Sequence, residues 1–86
     1  MRIFLTTKVW KEGKYYIAYA PELNVVSQGK TPEHAERRLR EAVEIFLEET
    51  KRLGTLEEIL ASLGISRKAN HFEMPRISLS ELEVRV

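Results

Sequence analysis

The sequence predicts an α+β fold, in which a small antiparallel sheet carries one long and one short helix on one face. Two β-branched and aromatic runs lie within residues 2–20, apolar residues recur at spacings of three and four over residues 32–53, and residues 77–86 return to an alternating pattern. At 86 residues the chain forms a single domain. Such a small domain buries only about 60–65% of its unfolded surface, so we expect homo-oligomers.

Alternation of side chains predicts the first strands. Residues 2–11 alternate between two sets of large side chains, as a strand does. Residues 12–13 (Glu-Gly) form a turn, and residues 14–20 return as the second arm of a β-hairpin. Pro21 ends this arm because proline donates no ladder hydrogen bond. Residues 25–27 (Val-Val-Ser) then form a short third strand.

Residues 32–53 are predicted to form a long helix. Thr31 is a good N-cap, Pro32 fits the first helical position, and Gly54 favours a left-handed stop. The opposite-charge pairs Glu36–Arg40 and Glu48–Arg52 have the favourable i, i+4 order. The buried face is predicted to consist of Ala35, Leu39, Ala42, Val43, Phe46, Leu47 and Leu53.

The second half of the chain is predicted to hold a short helix and a last strand. Residues 55–58 (TLEE) match a capping box, and Gly64 closes the helix that follows. Residues 65–76 have no clear period and contain Pro75, which predicts a loop. Residues 77–86 then form the C-terminal strand, with a bulge where the phase of its apolar residues changes.

Composition limits the cellular compartment and the class of protein that we expect. The net charge is +1, cysteine is absent, and no run of apolar residues approaches the roughly 20 that a membrane span needs. No signal peptide follows Met1, so we expect a cytoplasmic protein with no membrane association. All thirteen acidic residues are glutamate, a balance typical of thermophile proteins and of short helical chains.

Motifs for a metal, a nucleophile or a phosphate are incomplete. His34 and His71 are far apart and have no ligand spacing around them, so no metal and no cofactor are expected. Ser27 lacks the glycines of a nucleophile elbow. Residues 29–31 (Gly-Lys-Thr) resemble the end of a phosphate loop, but Asn24 stands where its first glycine is needed.

Nucleic-acid binding is not expected from the charge pattern. The basic cluster of the long helix is interleaved with glutamates that cancel much of its field. A solvated helix face explains this pattern, and weak RNA binding stays open as an alternative. The cluster consists of Arg37, Arg38 and Arg40, with Glu36, Glu41 and Glu44 between and around them.

Two neighbouring segments of the sequence carry a family resemblance. Residues 15–23 read YYIAYAPEL and residues 27–35 read SQGKTPEHA. Together with the helix after them they resemble the N-terminal module of HicB-like antitoxins, in which Y-Y-x-A-x-x-P-E-L and S-Q-G-x-T-x-x-x-A recur in this order. The resemblance covers residues 8–50. It implies a truncated ribonuclease-H-like sheet and a non-catalytic antitoxin that neutralises a HicA-like toxin, a small RNA-cleaving protein, by occlusion.

Enzymatic and operator-binding roles are not expected within this resemblance. A two-metal nuclease needs carboxylates that project from strands, and neither residues 2–11 nor residues 14–20 contain an acid. Many HicB-like antitoxins add a C-terminal helix-turn-helix or ribbon-helix-helix domain. A helix-turn-helix needs two helices and a ribbon-helix-helix needs its strand first, whereas residues 55–86 are predicted to give one helix followed by a strand.

Two sets of residues are candidates for contact with other proteins. The hairpin aromatics and the segment after them form a candidate toxin-binding surface, although alternation separates Tyr16 from the other tyrosines and packing explains part of the set. The apolar end of the chain is a candidate for self-association, since it is predicted to form a sheet edge. A homo-oligomeric module without a toxin is the alternative function. The first set is Trp10, Tyr15, Tyr16, Tyr19, Pro21, Glu22 and Leu23, and the second is Leu82, Val84 and Val86.

Overall fold

The computed structural model describes residues 2–86 and has the predicted α+β class. A three-stranded antiparallel sheet of order β1-β2-β3 precedes two helices, and a separate two-stranded sheet, β4-β5, follows them. The elements are β1 (Lys8–Glu12), β2 (Tyr15–Ala20), β3 (Val25–Gly29), α1 (Pro32–Leu53), α2 (Leu56–Ser62), β4 (Ser66–Lys68) and β5 (His71–Glu73).

The register of the three-stranded sheet divides its side chains into two faces. Val9 lies opposite Ala18, which lies opposite Ser27, and these three share the inner face. Helix α1 packs on this face, and Ala18 is fully buried there. The alternate residues of each strand point to the other side of the sheet because side chains alternate along a strand.

Helix α1 begins and ends where the sequence predicts. The Thr31 hydroxyl accepts a hydrogen bond from the His34 N–H at 3.0 Å, and Pro32 occupies the first turn. Gly54 has φ 75° and donates its N–H to the Lys51 carbonyl at 3.1 Å. The predicted buried face is confirmed at Ala35, Leu39 and Val43.

Three predictions near the end of α1 are wrong. Leu53 is 62% exposed, because it lies in the last turn beyond the part of α1 that covers the sheet. Arg52 pairs with Glu49 at 2.6 Å and not with Glu48, since the i, i+3 spacing also brings the side chains together. The Thr55 side chain makes no capping hydrogen bond to α2; its N–H and its hydroxyl instead donate to the Thr50 carbonyl, at 2.9 and 3.5 Å.

The end of β3 approaches the start of α1 very closely. A Cβ placed on Gly29 would lie 2.6 Å from the Ala35 nitrogen and 2.9 Å from the His34 carbonyl carbon. Only glycine fits this contact, and both Gly29 and Ala35 are buried. The contact fixes the position of α1 over the inner face.

The first strand is shorter than predicted. It begins at Lys8, opposite Tyr19, because β2 turns away after Ala20 and offers residues 2–7 no partner. The buried Glu22 carboxylate holds this segment instead, by accepting the Thr6 N–H at 2.8 and 3.0 Å. Residues 2–7 therefore extend β1 without continuing its ladder.

Two predictions for the second half of the chain are wrong. The predicted loop over residues 65–76 contains a short hairpin, in which Ser66 pairs with Glu73. Its three-residue strands are too short to show a period. The predicted C-terminal strand over residues 77–86 has no regular secondary structure and is exposed throughout, because no strand of the described chain lies beside it.

Replacement of Gly29 tests the close approach of β3 and α1. We expect Gly29→Ala to lower the free energy of unfolding by about 1–3 kcal/mol. The added methyl group would clash with backbone atoms of His34 and Ala35, which can move only together with α1. Urea titration followed by circular dichroism measures this. Gln28→Ala, at the exposed neighbouring position, is the control, and an equal loss in both variants would contradict the assignment.

Replacement of Glu22 tests how the N-terminal segment is held. We expect Glu22→Ala to cost about 1–3 kcal/mol and to speed hydrogen exchange at the Thr6 amide, because the half-buried N–H loses a charged acceptor. Glu22→Gln keeps one acceptor and should lose less. Unchanged exchange at Thr6 in Glu22→Ala would show that other contacts hold the segment.

Candidate partner-binding surface

The side of the three-stranded sheet away from α1 is the candidate partner-binding surface. Within residues 2–86, α1 is the only helix or strand outside this sheet that contacts its strands, and it packs on the inner face. The opposite side is therefore left uncovered by helices and strands. We call its aromatic and aliphatic residues the outer sheet face: Trp10, Tyr15, Ile17, Tyr19 and Val26.

Cross-strand pairing brings the outer sheet face together. Trp10 lies opposite Ile17 on the central strand, and Tyr19 lies opposite Val26. Such pairs have their Cβ atoms about 4.5–5.5 Å apart, so their side chains form one continuous patch. Val26 is 59% exposed, Tyr15 41% and Trp10 37%. These are large apolar side chains in contact with water.

The patch has a cationic rim. The Lys8 ammonium nitrogen lies 5.6 Å from the centre of the Trp10 ring, within the range of a cation–π contact. Lys8 also faces Tyr19 across the strands. The indole therefore presents an apolar ring with a positive charge beside it, a combination suited to contact with a protein surface.

A turn fixes the orientation of Tyr19. The Tyr19 hydroxyl donates a hydrogen bond to the Asn24 side-chain oxygen at 2.9 Å. Asn24 itself has φ 55°, in the left-handed region, and its N–H donates to the Pro21 carbonyl at 3.3 Å. Asparagine tolerates this conformation better than other side chains. The turn between β2 and β3 therefore positions one aromatic of the patch.

The structure brings only part of the predicted toxin-binding set to this surface. Tyr16 lies on the inner face, half-buried, with the Lys11 ammonium 6.0 Å from its ring centre. Leu23 is 6% exposed and belongs to the hydrophobic core. Glu22 is also buried and binds the Thr6 backbone, and Pro21 is half-buried in the turn.

The predicted set is therefore divided between the outer sheet face, the inner face and the core. The Pro21–Leu23 segment follows β2 and folds back toward the core, where Leu23 is needed for burial. Trp10, Tyr15 and Tyr19 remain on the outer sheet face. Alternation along the strand already separates Tyr16 from these tyrosines, whereas the buried state of residues 22–23 has no periodic signal.

Sequence reasoning missed Ile17 and Val26. Ile17 has the same parity as Tyr15 and Tyr19 along β2, so alternation alone assigns it to the same face. Val26 can be assigned to the outer sheet face only from the pairing of β3 with β2. This pairing depends on the length of the turn at residues 21–24. The turn sets the register and was not predictable from the strand patterns.

The two histidines lie at separate places in the fold. The His34 Nδ1 accepts a hydrogen bond from the Lys30 N–H at 3.3 Å beside the helix cap, and His71 lies exposed in β5. In residues 2–86, no three side chains of His, Cys, Asp or Glu cluster as metal ligands would. Over the same residues, neither helix has the length and apolarity that crossing a membrane requires.

Comparisons of the chain with models of protein families, with curated proteins and with solved structures found no match. Function is therefore inferred from the outer sheet face and from the motifs in residues 15–35.

Substitution of Asn24 tests the turn that positions Tyr19. We expect Asn24→Ala to lower the free energy of unfolding by about 1 kcal/mol more than Asn24→Gly, because alanine is strained at positive φ and glycine is not. Both variants lose the hydrogen bond from Tyr19, so their difference reports the backbone alone. Chemical denaturation measures it; equal stabilities would contradict the assigned strain.

Proposed function

We propose that this protein is a non-catalytic, cytoplasmic binding protein of the HicB antitoxin type, which neutralises a HicA-like RNA-cleaving toxin by covering it. The outer sheet face is the proposed contact surface. The single observation that carries the proposal is the exposure of this aromatic and aliphatic patch on the side of the sheet that α1 leaves open.

The composition of the open face favours a binding role. An antiparallel sheet with one solvated side usually carries polar residues there. Here Trp10, Tyr15 and Val26 are exposed on adjacent strands, and half-buried Ile17 and Tyr19 lie between them. Tryptophan and tyrosine are the residues most enriched among energetic hot spots of protein interfaces. Contact with a partner removes this apolar surface from water.

The sheet itself supports occlusion as the mechanism. The inner face is fixed against α1 by the contact at Gly29, so the outer face is a preformed surface that loses little freedom on binding. Within β1, β2 and β3 the only acidic side chain is Glu12, at the end of β1 beside the hairpin turn. These strands therefore lack the grouped carboxylates that metal-dependent RNA cleavage uses.

The order of the motifs supports the choice of partner. The segments YYIAYAPEL and SQGKTPEHA contribute β2, the β2–β3 turn, the end of β3 and the start of α1. Tyr15 and Tyr19 of the first segment lie on the outer sheet face, and Gly29 and Ala35 of the second form the contact between sheet and helix. The resemblance to HicB-like antitoxins thus involves both the surface and its support.

A pull-down of the tagged full chain from its native cells tests this function. We expect mass spectrometry to find one stoichiometric small basic protein, which cleaves RNA alone and is inhibited in the complex. Recovery of only the chain itself, as a defined oligomer, would overturn the antitoxin proposal in favour of a homo-oligomeric module.

The contact surface is tested with two matched substitutions. Val26→Glu puts a charge on the outer sheet face and should weaken partner binding at least tenfold, measured by calorimetry with the captured partner. Ile45→Glu is the control, because Ile45 is a similarly exposed aliphatic residue on α1 (64% against 59%). Equal effects of both substitutions, or of neither, would show that the partner binds elsewhere.

A further inference from the structure

A groove lined by both apolar and charged side chains lies beside the free edge of the three-stranded sheet. Its volume is about 530 Å³, and it separates the N-terminal segment, residues 2–7, from α1. Ile3, Leu5 and Thr7 line one side. Leu39, Val43 and Leu47 of α1 line the other, with Glu36, Arg40 and Glu44 among the remaining lining residues.

The N-terminal segment has the geometry of an unpaired edge strand. Exposure alternates from Arg2 to Leu5, with Ile3 and Leu5 turned toward the core and Phe4 toward solvent. Within residues 2–7, the Thr6 N–H makes the only hydrogen bond, to Glu22 on the side of β2. Backbone groups alternate in direction along a strand, so those of Ile3, Leu5 and Thr7 face the open edge.

The same chain contains a segment with the complementary pattern. Residues 81–86 read ELEVRV, with Leu82, Val84 and Val86 alternating with charged residues as in a half-buried strand. All six residues are exposed; Leu82 is 86% and Val84 69% exposed. A strand-forming sequence therefore lies in water, while its own chain leaves a groove and a strand edge open.

We propose that residues 81–86 of a second copy of this chain add as a fourth strand along the free edge at residues 3–8, and that two copies exchange these segments reciprocally. In the antiparallel register, Val86 lies opposite Ile3, Val84 opposite Leu5 and Leu82 opposite Thr7. The three apolar side chains of the added strand then enter the groove above Leu39 and Val43. The six residues of the added strand thus lie opposite residues 3–8.

The charged residues of the added strand lie on its other side, and they favour this antiparallel register. It places Glu81 opposite Lys8 and Arg85 opposite the exposed Phe4 ring, one ion pair and one cation–π pair. A parallel arrangement with apolar residues at the same positions puts Glu81 opposite Arg2 and Glu83 opposite the Phe4 ring, so it keeps one ion pair but loses the cation–π pair. The charged side of the added strand, through its contact with Phe4, therefore favours the antiparallel arrangement.

A second copy of the chain is the proposed occupant because it accounts for both the exposed apolar segment and the open strand edge. Each copy supplies one apolar segment and one open edge, so a two-fold exchange leaves neither exposed. It also pairs the backbone donors and acceptors of Ile3, Leu5 and Thr7, which otherwise form an aggregation-prone edge. The added burial suits a domain of 86 residues, whose own core is small.

Light scattering coupled to size-exclusion chromatography tests the exchange on the full chain. We expect a dimer at micromolar concentration. Val84→Glu, which puts a charge into the groove, should give a monomer that keeps the helical part of its circular dichroism spectrum, because residue 84 lies outside the monomer core. A monomeric wild-type chain, or a dimer that Val84→Glu leaves intact, would overturn the proposal.

Charge reversal tests the register. Lys8→Glu and Glu81→Lys should each weaken the dimer about tenfold, since a symmetric exchange contains the pair twice, and the double variant should recover most of the affinity. Glu83→Lys is the matched control, because it reverses a charge in the same segment opposite uncharged Thr6. Equal weakening by Glu81→Lys and Glu83→Lys would overturn the register.

Cross-linking separates exchange between chains from docking within one chain. The chain contains no cysteine, so Phe4→Cys with Arg85→Cys introduces the only thiols, at directly opposed positions. Oxidation should give a covalent dimer on a non-reducing gel. A disulfide within one chain would overturn the proposed exchange. These outcomes do not depend on the toxin, so they can fail while the pull-down of the proposed partner succeeds.

Discussion

Gly29 brings the end of β3 against the first turn of α1 so closely that no side chain fits between them. This contact determines which face of the sheet becomes the inner face, because α1 leaves β3 with almost no freedom and must cross the side occupied by Ala18 and Ala20. Small residues at these positions let the helix approach the strands. Trp10, Tyr15 and Tyr19 of the hairpin are left on the other side of the sheet.

The division of the sheet into two faces connects packing with function. Ala18, Ala20 and Gly29 supply the fully buried part of the inner face, so the hydrophobic core is thin there, and the hairpin aromatics other than Tyr16 lie outside it. In a domain of this size, leaving these aromatic side chains outside the core reduces the stabilisation that burial of apolar surface provides. We infer that interactions with other chains recover it, through the outer sheet face and through the free edge beside residues 2–7.

The sequence predicted elements that have strong local signals and missed those defined by distant contacts. Helix α1 was predicted to the residue because Thr31, Pro32 and Gly54 mark its ends. The role of Glu22 was missed because it depends on Thr6, sixteen positions away, and no spacing rule links them. The outer sheet face was half predicted: parity along β2 separates Tyr15 and Tyr19 from Tyr16, whereas Val26 joins them only through the register of β3.

The order of contacts along the chain has a consequence for folding. Strand β1 pairs with β2, β2 with β3, and β3 packs against α1, so successive elements are neighbours and few long loops must close. Residues 8–53 can therefore complete their contacts during synthesis, before residues 81–86 leave the ribosome. Residues 81–86 then emerge beside a finished sheet, and their apolar side chains meet a folded surface instead of competing for the core.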